Sequence, residues 1–450
     1  MKTIMLCFNQ AGIGGVETAA LNQTIQLTRK GYRVIIVAKN EIYRKKFEEY
    51  GAIFEEFEYI IQNEADFGKI NHIVMLLEKY DVEQVHIHQF DCITTAFPAC
   101  IIKGIPYVAY VHTGVLGVYD WFEECYPVYK TIFDLYFKSA AKVIPITEEA
   151  KKENQEKYNV DNDKYLIIKN SINFEDINEK QNLIPTKVEK FLIISRLAKE
   201  KMISIKNSIS IFKEYYNRNN FARLTIVGDG EYKEEIEKEI EDIKEAVELL
   251  GQRNDIMEIV PKHDIVLGLD RCILETISMK RIPLLSGYDD IKGIITPDLI
   301  EKASDNNFSG RNLENHTISE VVQQIENLDK EKIKNILEQN YKFAYDNLNI
   351  VNNFFVMENI EENKIYLNPK DAIMAIVQLQ NLYSSNIEYT NHVYRESKKA
   401  QEWYQEQIEH LEKELKIREE KINELNMKLG RKFKNKIKSL VKKIINKIKK

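Results

Sequence analysis

The 450-residue chain predicts an α/β protein made of two facing Rossmann-like domains with parallel sheets, followed by a helical extension. Three observations carry that reading. Short apolar runs alternate with helical patterns twice over, the signature of βαβ units and parallel sheets. The alternation breaks once, at the polar stretch 173–190, which reads as a linker helped by Pro185. It ends near residue 346, beyond which only helical patterns follow. The expected divisions are a first domain at 1–175, a second at 188–345, a helical or coiled-coil extension at 371–430 and a basic amphipathic tail at 431–450.

In the first domain, residues 2–8 form a strand, and Gly12, Gly14 and Gly15 then open a helix. Strands are expected at 33–39, 84–90, 106–112, 142–147 and 165–170, joined by right-handed crossovers. After the linker the strands are 191–195, 222–228, 264–269 and 282–287, with a helical stretch at 231–250. Residues 372–399 also read as helical. From there Tyr404, Ile408, Leu411, Leu415, Arg418, Ile422, Leu425 and Leu429 recur at 4-3-4-3 spacing, and Gly430 closes the run. That heptad seam suggests self-association to a homo-oligomer; a single solvated helix is the alternative.

Net charge is −6, but the final 20 residues carry ten Lys/Arg and no acid, so the other 430 carry −16. In this tail Phe433, Ile437, Leu440, Val441, Ile444, Ile445 and Ile448 share one helical face ringed by lysines. A narrow apolar face under a cationic one suits an anionic membrane surface. Nucleic acid competes for basic residues, but the continuous apolar face argues against it. The five cysteines form no C-x-x-C pair and suit a reducing compartment. The N-terminus lacks a signal-peptide core, and no run of about 18 apolar residues exists to span a membrane. A cytoplasmic protein, peripheral at the inner membrane face, is expected.

The second domain draws the most chemistry. In an open parallel sheet, ligands sit outside the carboxyl ends of strands. Three stretches, 191–201, 224–230 and 267–283, are each an apolar run passing into polar or glycine residues. They place Arg196 and Lys201 after one strand, Gly228, Asp229 and Gly230 after the next, and Glu275 in the helix after the third. That set suits a nucleotide diphosphate. In the first domain, Gly12, Gly14 and Gly15 lack the third glycine of a dinucleotide fingerprint, and the second strand ends in Lys39 and Asn40 rather than an acid. What remains is an anion-friendly turn at a helix start. His86 and His88 have no acid or cysteine beside them and make a poor metal site. Asp161, Asn162 and Asp163 read as a polar turn. The aromatic run Trp121–Phe137, with Phe122, Tyr126, Tyr129, Phe133 and Tyr136, reads as core packing, with an acceptor-receiving lip as the alternative.

The stretch GIGGVETAALNQTIQLTRKGYRVIIVAKN resembles the N-terminal glycine motif of family-4 retaining glycosyltransferases of the two-domain GT-B fold. The likeness continues in order through VHIHQF, GIPYVAYVHTG, AKVIPITEEAKKENQEKYNVDNDKYLIIKNSIN, ISRLAKEK, IVGDGEYKEEIE and LGLDRCILETISMKRIPLLSG. The resemblance implies a retaining transferase, free of metal and cofactor, that moves a sugar from a nucleotide-diphosphate sugar. The acceptor would be a glycan or lipid-linked molecule, as in cell-surface polysaccharide synthesis. Arg196 and Lys201 match the Arg and Lys of the family's G-R-x-x-x-E-K segment, which grips the diphosphate. His112 matches a position near the reacting sugar, and these three are the implied catalytic residues. Gly14, Gly15, Gly228, Asp229, Gly268, Asp270, Arg271 and Glu275 are the implied donor-binding set, Glu275 matching the acid that meets the ribose. One position departs: eight residues before Glu275 the family carries a glutamate that touches the donor sugar, and this chain has Leu267. Asp270 or Arg271 would then take over the sugar or phosphate contact. A non-catalytic scaffold acting through the coiled coil and a nucleotide-sugar epimerase are the other readings.

Overall fold

The computed structural model describes residues 2–12, 14–59, 67–112, 119–120, 123, 128–177, 184–358 and, in part, 392–442. The chain divides into Met1–Ala372 and Ile373–Lys450. The first unit opens with β1 (Thr3–Gln10), α1 (Gly15–Arg29), β2 (Arg33–Lys39), α2 (Arg44–Glu49), β3 (Ile53–Glu56) and α3 (Phe67–Lys79). It continues with β4 (Gln84–Ile87), α4 (Ile93–Lys103), β5 (Tyr107–Val111), α5 (Val128–Ser139), β6 (Lys142–Pro145) and α6 (Glu148–Tyr158). These strands form one parallel sheet in the order β3-β2-β1-β4-β5-β6.

A second sheet follows the linker. Its elements are β7 (Lys190–Ile194), α7 (Met202–Arg218), β8 (Arg223–Val227), α8 (Lys233–Glu239), β9 (Val247–Gly251), α9 (Ile256–Ile259), β10 (Ile265–Gly268) and α10 (Arg271–Ser278). Then come β11 (Ile282–Ser286), β12 (Ile291–Ile294), α11 (Ile300–Asp305), α12 (Ile318–Glu326) and α13 (Lys330–Asn347). The order is β12-β11-β10-β7-β8-β9, parallel except for the β12 edge. Both sheets therefore reverse direction beside their first strand. At such a switch point neighbouring crossovers leave to opposite faces, and a crevice opens at the strands' carboxyl ends.

Alternating apolar residues fill the layers between sheets and helices. Phe191 on β7 packs edge-on against Phe212 of α7 at 5.3 Å, and both are fully buried. Burying each such ring is worth about 1.5–3 kcal/mol. Tyr129, Phe133 and Tyr136 are buried in the first core, as the packing reading of the aromatic run expects; Trp121, Phe122 and Tyr126 lie outside the described residues. Some helix starts are capped by a side chain: the Thr147 hydroxyl accepts from the Ala150 N–H at 3.0 Å to open α6.

Two sequence expectations fail. Residues 165–170 are not a strand: only Tyr165 bridges to Val143, although Leu166 and Ile168 still donate to β6 carbonyls. Beyond them Lys169 pairs with Asp305 and Asn170 with Asn307, which draws the segment away from the sheet edge. The stretch 231–250 is not one helix either. It is α8, a 3-10 segment at Glu241–Ala246, and then β9 from Val247. Its acid and lysine repeat mimics a helical period, whereas the open edge of β8 takes Val247–Gly251 as a parallel strand. After α13 the chain returns to the first sheet: Asn349 bridges Ile172, Ile350 joins the β1–β2 core and Met357 packs with Val108, Tyr110 and Ile144.

In the second unit the described residues from 392 to 442 are helical. Leu415, Arg418, Ile437 and Leu440 are exposed there. The remaining seam residues Tyr404, Ile408, Leu411, Ile422, Leu425 and Leu429, and tail residues Phe433, Val441, Ile444, Ile445 and Ile448, lie outside the described side chains. Among the described residues no helix is long and apolar enough to cross a membrane.

Candidate active site

A cleft of about 1320 Å³ lies at the carboxyl ends of the two sheets. Arg196, Lys201, His112, Gly14, Gly15, Gly228, Asp229, Gly268, Asp270, Arg271 and Glu275 all line it. Residues from Gly14 to Glu275 are thus brought together by strand ends and the helix starts that follow them.

The β8 turn sets the position of Arg196. Gly228 has φ +151°, and a Cβ there would fall 1.8 Å from the Ser195 carbonyl oxygen. Gly230, at φ +154°, would place one 2.4 Å from the Leu197 carbonyl oxygen. Lacking side chains, the two glycines let the β7–α7 loop lie directly on the β8 turn. The Ser195 N–H donates to Val227 O at 3.0 Å and the Leu197 N–H to Asp229 O at 2.9 Å, fixing Arg196 from both sides. The Arg196 side chain itself is 72% exposed and pairs with Glu200 at 2.5 Å, one helical turn on. A surface pair of this kind is worth about 1 kcal/mol or less, so the guanidinium is free to be recruited by an anion.

Lys201 is held differently. Its side chain is 17% exposed, and its ammonium donates to Asp270 Oδ2 and to Tyr288 Oη, both at 2.5 Å. The same ammonium sits 4.3 Å from the Tyr288 ring centroid, a cation–π contact. Tyr288 in turn donates to Asp270 Oδ2 at 2.6 Å. Burial, reinforced by Asp270, pushes the Tyr288 phenol above its ordinary range and keeps it a donor. Sequence reasoning did not single out Tyr288; an aromatic two residues beyond a strand's carboxyl end was the available signal.

On α10, Arg271 pairs with Glu275 at 2.9 Å and donates to the Ser171 carbonyl at 3.3 Å. Arg271 thereby ties the segment just before the linker to α10, and Glu275 keeps one carboxylate oxygen outside the pair. Leu267 is fully buried in the core with Ile193 and Leu284, so its position faces into the domain and not into the cleft.

The opposite wall carries exposed Lys46 and Glu49 on α2, and its buried groups are neutral apart from Glu17. Glu17, in the first turn of α1, is 7% exposed; burial raises its carboxyl pKa, and Arg196 across the cleft lowers it in part. The sequence places it at the end of the Gly12–Gly15 turn but gives it no role of its own; that place is the signal that could have found it. Gly14 packs under this carboxylate, 2.2 Å from where a Cβ would stand. Behind it runs a stack of rings: His88 lies 4.1 Å from Tyr110 and 5.3 Å from His112, centroid to centroid. The His88 Nδ1 and His112 Nε2 atoms share a hydrogen bond of 3.0 Å. Below them, His86 meets Gln23 Nε2 at 2.5 Å and Gln84 Oε1 at 2.8 Å, so its Nδ1 accepts and its Nε2 donates. Burial pushes His86 down to about 3 and His112 down to about 4, and His88 lower than its ordinary range. His112 therefore offers a neutral imidazole to the cleft. His86 is spent on this network while His88 keeps a buried Nε2 with no hydrogen-bond partner, and among the described residues no group of three His, Cys, Asp or Glu could hold a metal ion.

The chain matches two family models: Glycosyltransferase Family 4 over residues 13–176 and Glycosyl transferases group 1 over residues 174–270. No curated protein matches it in sequence. Among solved structures it is similar to a glycosyltransferase from Rickettsia africae, at 18% identity and a TM-score of 0.59, over 78% of this chain and 95% of that one. It is also similar to Anabaena HepE in complex with UDP-glucose, at 15% identity and a TM-score of 0.57, over 80% and 99% of the two chains. A third likeness is to a point mutant of S. aureus TarM, solved with Fondaparinux, alpha-GlcNAc-glycerol and UDP, at 14% identity and a TM-score of 0.54, over 85% and 100%. These likenesses give the fold. With the two models spanning residues 13–270 between them, the chain belongs to the group 1 glycosyltransferases of the GT-B fold.

Proposed function

We propose that this glycosyltransferase moves a hexosyl group, with retention and without a metal, from a nucleotide-diphosphate sugar to a glycan or lipid-linked acceptor. The observation that supports it most is the pairing of a recruitable Arg196 with a fixed Lys201 on one cleft wall, facing a neutral His112 on the other. When the glycosidic bond to the phosphate breaks, charge develops on the departing diphosphate. Preset cations in a site that excludes water stabilise it most. Glu275 would take the ribose hydroxyls with its open oxygen. Gly14 and Gly15, at the start of α1, would approach the donor from the other domain.

Retention is read as front-face departure and attack. On the C-terminal wall Glu200 is paired with Arg196, Asp270 with Lys201 and Glu275 with Arg271, which argues against any of these three as the nucleophile. HepE, solved with UDP-glucose, and TarM, solved with UDP and alpha-GlcNAc-glycerol, supply the model for the donor and a glycan-type acceptor. A structurally similar protein, WaaG, is described as involved in lipopolysaccharide biosynthesis, which suits a role in cell-surface polysaccharide synthesis.

The assay is donor turnover over a panel of nucleotide sugars with and without glycan acceptors, with the anomeric configuration of the product read by NMR. Nucleotide release that needs an acceptor, lost in Arg196→Ala, with an unchanged anomeric configuration, is expected. Interconversion of the donor without acceptor would mark an epimerase, and inversion would overturn the front-face reading. The basic tail at 431–450 is assigned to an anionic membrane surface, and the 404–429 seam to self-association. Removing 431–450 should abolish sedimentation with phosphatidylglycerol vesicles; undiminished sedimentation would contradict the membrane assignment.

A further inference from the structure

The geometry points to Asp270 as the carboxylate that reads the hydroxyl groups of the donor's sugar, doing from the α10 turn what no side chain at Leu267 can do. This rests on the donor reading of the cleft given above. Asp270 has φ +58° and ψ −135°, a backbone conformation that L side chains rarely adopt and glycine adopts freely. Its N–H donates to the Phe308 carbonyl at 2.9 Å, which holds the turn in that conformation. Its side chain makes no hydrogen bond to the α10 start, so the strain is not offset by capping the helix. A carboxylate kept at a strained position is kept for what the carboxylate does.

What it does locally is specific. Oδ2 takes both anchoring hydrogen bonds, from Lys201 and Tyr288, while Oδ1 has no partner among the described residues. One oxygen clamped and one open make a fixed acceptor on the cleft wall. The open oxygen belongs to the residue that touches the Lys201 ammonium, and so lies where a diphosphate held by that lysine would continue into its sugar. A carboxylate there repels a phosphate, which rules it out as a phosphate ligand and suits it to neutral hydroxyl donors. Arg271, the other residue that could have replaced the missing acid, is tied to Glu275 and Ser171. The sugar class that follows is a neutral hexose with free hydroxyls; a hexuronate would set a second carboxylate against Asp270.

The test uses the full chain and calorimetric titration. UDP and GDP are compared with their glucose, galactose and mannose conjugates and with UDP-glucuronate, in wild type, Asp270→Asn and Asp270→Gly. Glycine suits the backbone at this position, so the second variant removes the carboxylate without straining the turn. The quantity read is the ratio of Kd for the best-bound neutral nucleotide-hexose to Kd for its nucleoside diphosphate. That ratio should rise about tenfold or more in both variants, the worth of a hydrogen bond to a charged acceptor. Affinity for the nucleoside diphosphate alone should hold or tighten, and UDP-glucuronate should gain relative to the neutral donor. Equal weakening of nucleotide and nucleotide-hexose would reduce Asp270 to a counter-ion of Lys201 and overturn the inference, as would an unchanged ratio. If wild type binds no nucleoside diphosphate at all, the donor reading itself falls.

Discussion

The two walls of the cleft handle charge in opposite ways. On the C-terminal wall Arg196, Lys201 and Arg271 are each matched to a carboxylate, so the empty site carries its cations already oriented and countered. On the N-terminal wall His86, His88 and His112 are buried and held neutral, and of the charged residues there Glu17 is buried while Lys46 and Glu49 are exposed. The difference matches the two halves of a glycosyl transfer. A departing diphosphate is best met by fixed charge, while hydroxyls of a sugar and an acceptor are met by neutral hydrogen-bonding groups.

If that division is right, loss of charge on the first wall should cost most. Lys201→Ala should lower kcat by about 10²–10³-fold, the usual result of removing one preset group that stabilises developing charge. A loss under tenfold would break the comparison. Stability of the same wall depends on its glycines. Gly228→Ala should destabilise by about 3 kcal/mol, since it adds a strained φ and a Cβ 1.8 Å from the Ser195 oxygen; urea unfolding checks this.

Changes on the N-terminal wall should be smaller and of a different kind. His112→Ala should lower kcat by about tenfold, the worth of one neutral hydrogen bond, and leave nucleotide affinity within twofold. The buried histidines also set a pH signature. Their folded pKa values lie below the unfolded value of about 6.5, so between about pH 6.5 and 4 the unfolded chain binds more protons and stability falls as the pH is lowered. Each contributes about 1.4 kcal/mol per pH unit in that window. Asp91, raised by burial to about 6, acts in the opposite sense, since its folded state gains protons between about pH 4 and 6. Three histidines against two raised carboxyls, Asp91 and Glu17, leave a net loss, and the urea midpoint should be lower at pH 5 than at pH 7. An equal midpoint would mean the histidines titrate in the fold. The smallest expected effect is ionic: raising salt should weaken nucleotide binding severalfold through the exposed Arg196, and no further in His112→Ala than in wild type.

Much of this was legible in the sequence because strand-to-helix turns announce themselves. Arg196, Lys201 and Glu275 each follow an apolar run, and the cleft gathers all three. What stayed hidden depended on side chains meeting across distance. Tyr288 acquires meaning only when β11 brings it to Lys201, 87 positions away. Arg271 looked available until the fold tied it to Glu275 and to the Ser171 carbonyl. Residues 165–170 have an apolar core typical of strands, yet their fate was decided by Asp305 and Asn307, which no local pattern can see. Val247–Gly251 was masked by the acid-rich repeat before it, and only the free edge of β8 recruits it.

The division of labour between the walls is tested most directly by calorimetric titration of one ligand into three proteins. The ligand is the nucleoside diphosphate that wild type binds most tightly, and the proteins are wild type, Lys201→Ala and His112→Ala. The account predicts at least tenfold weaker binding in Lys201→Ala and less than a twofold change in His112→Ala. Equal losses in the two variants would contradict it.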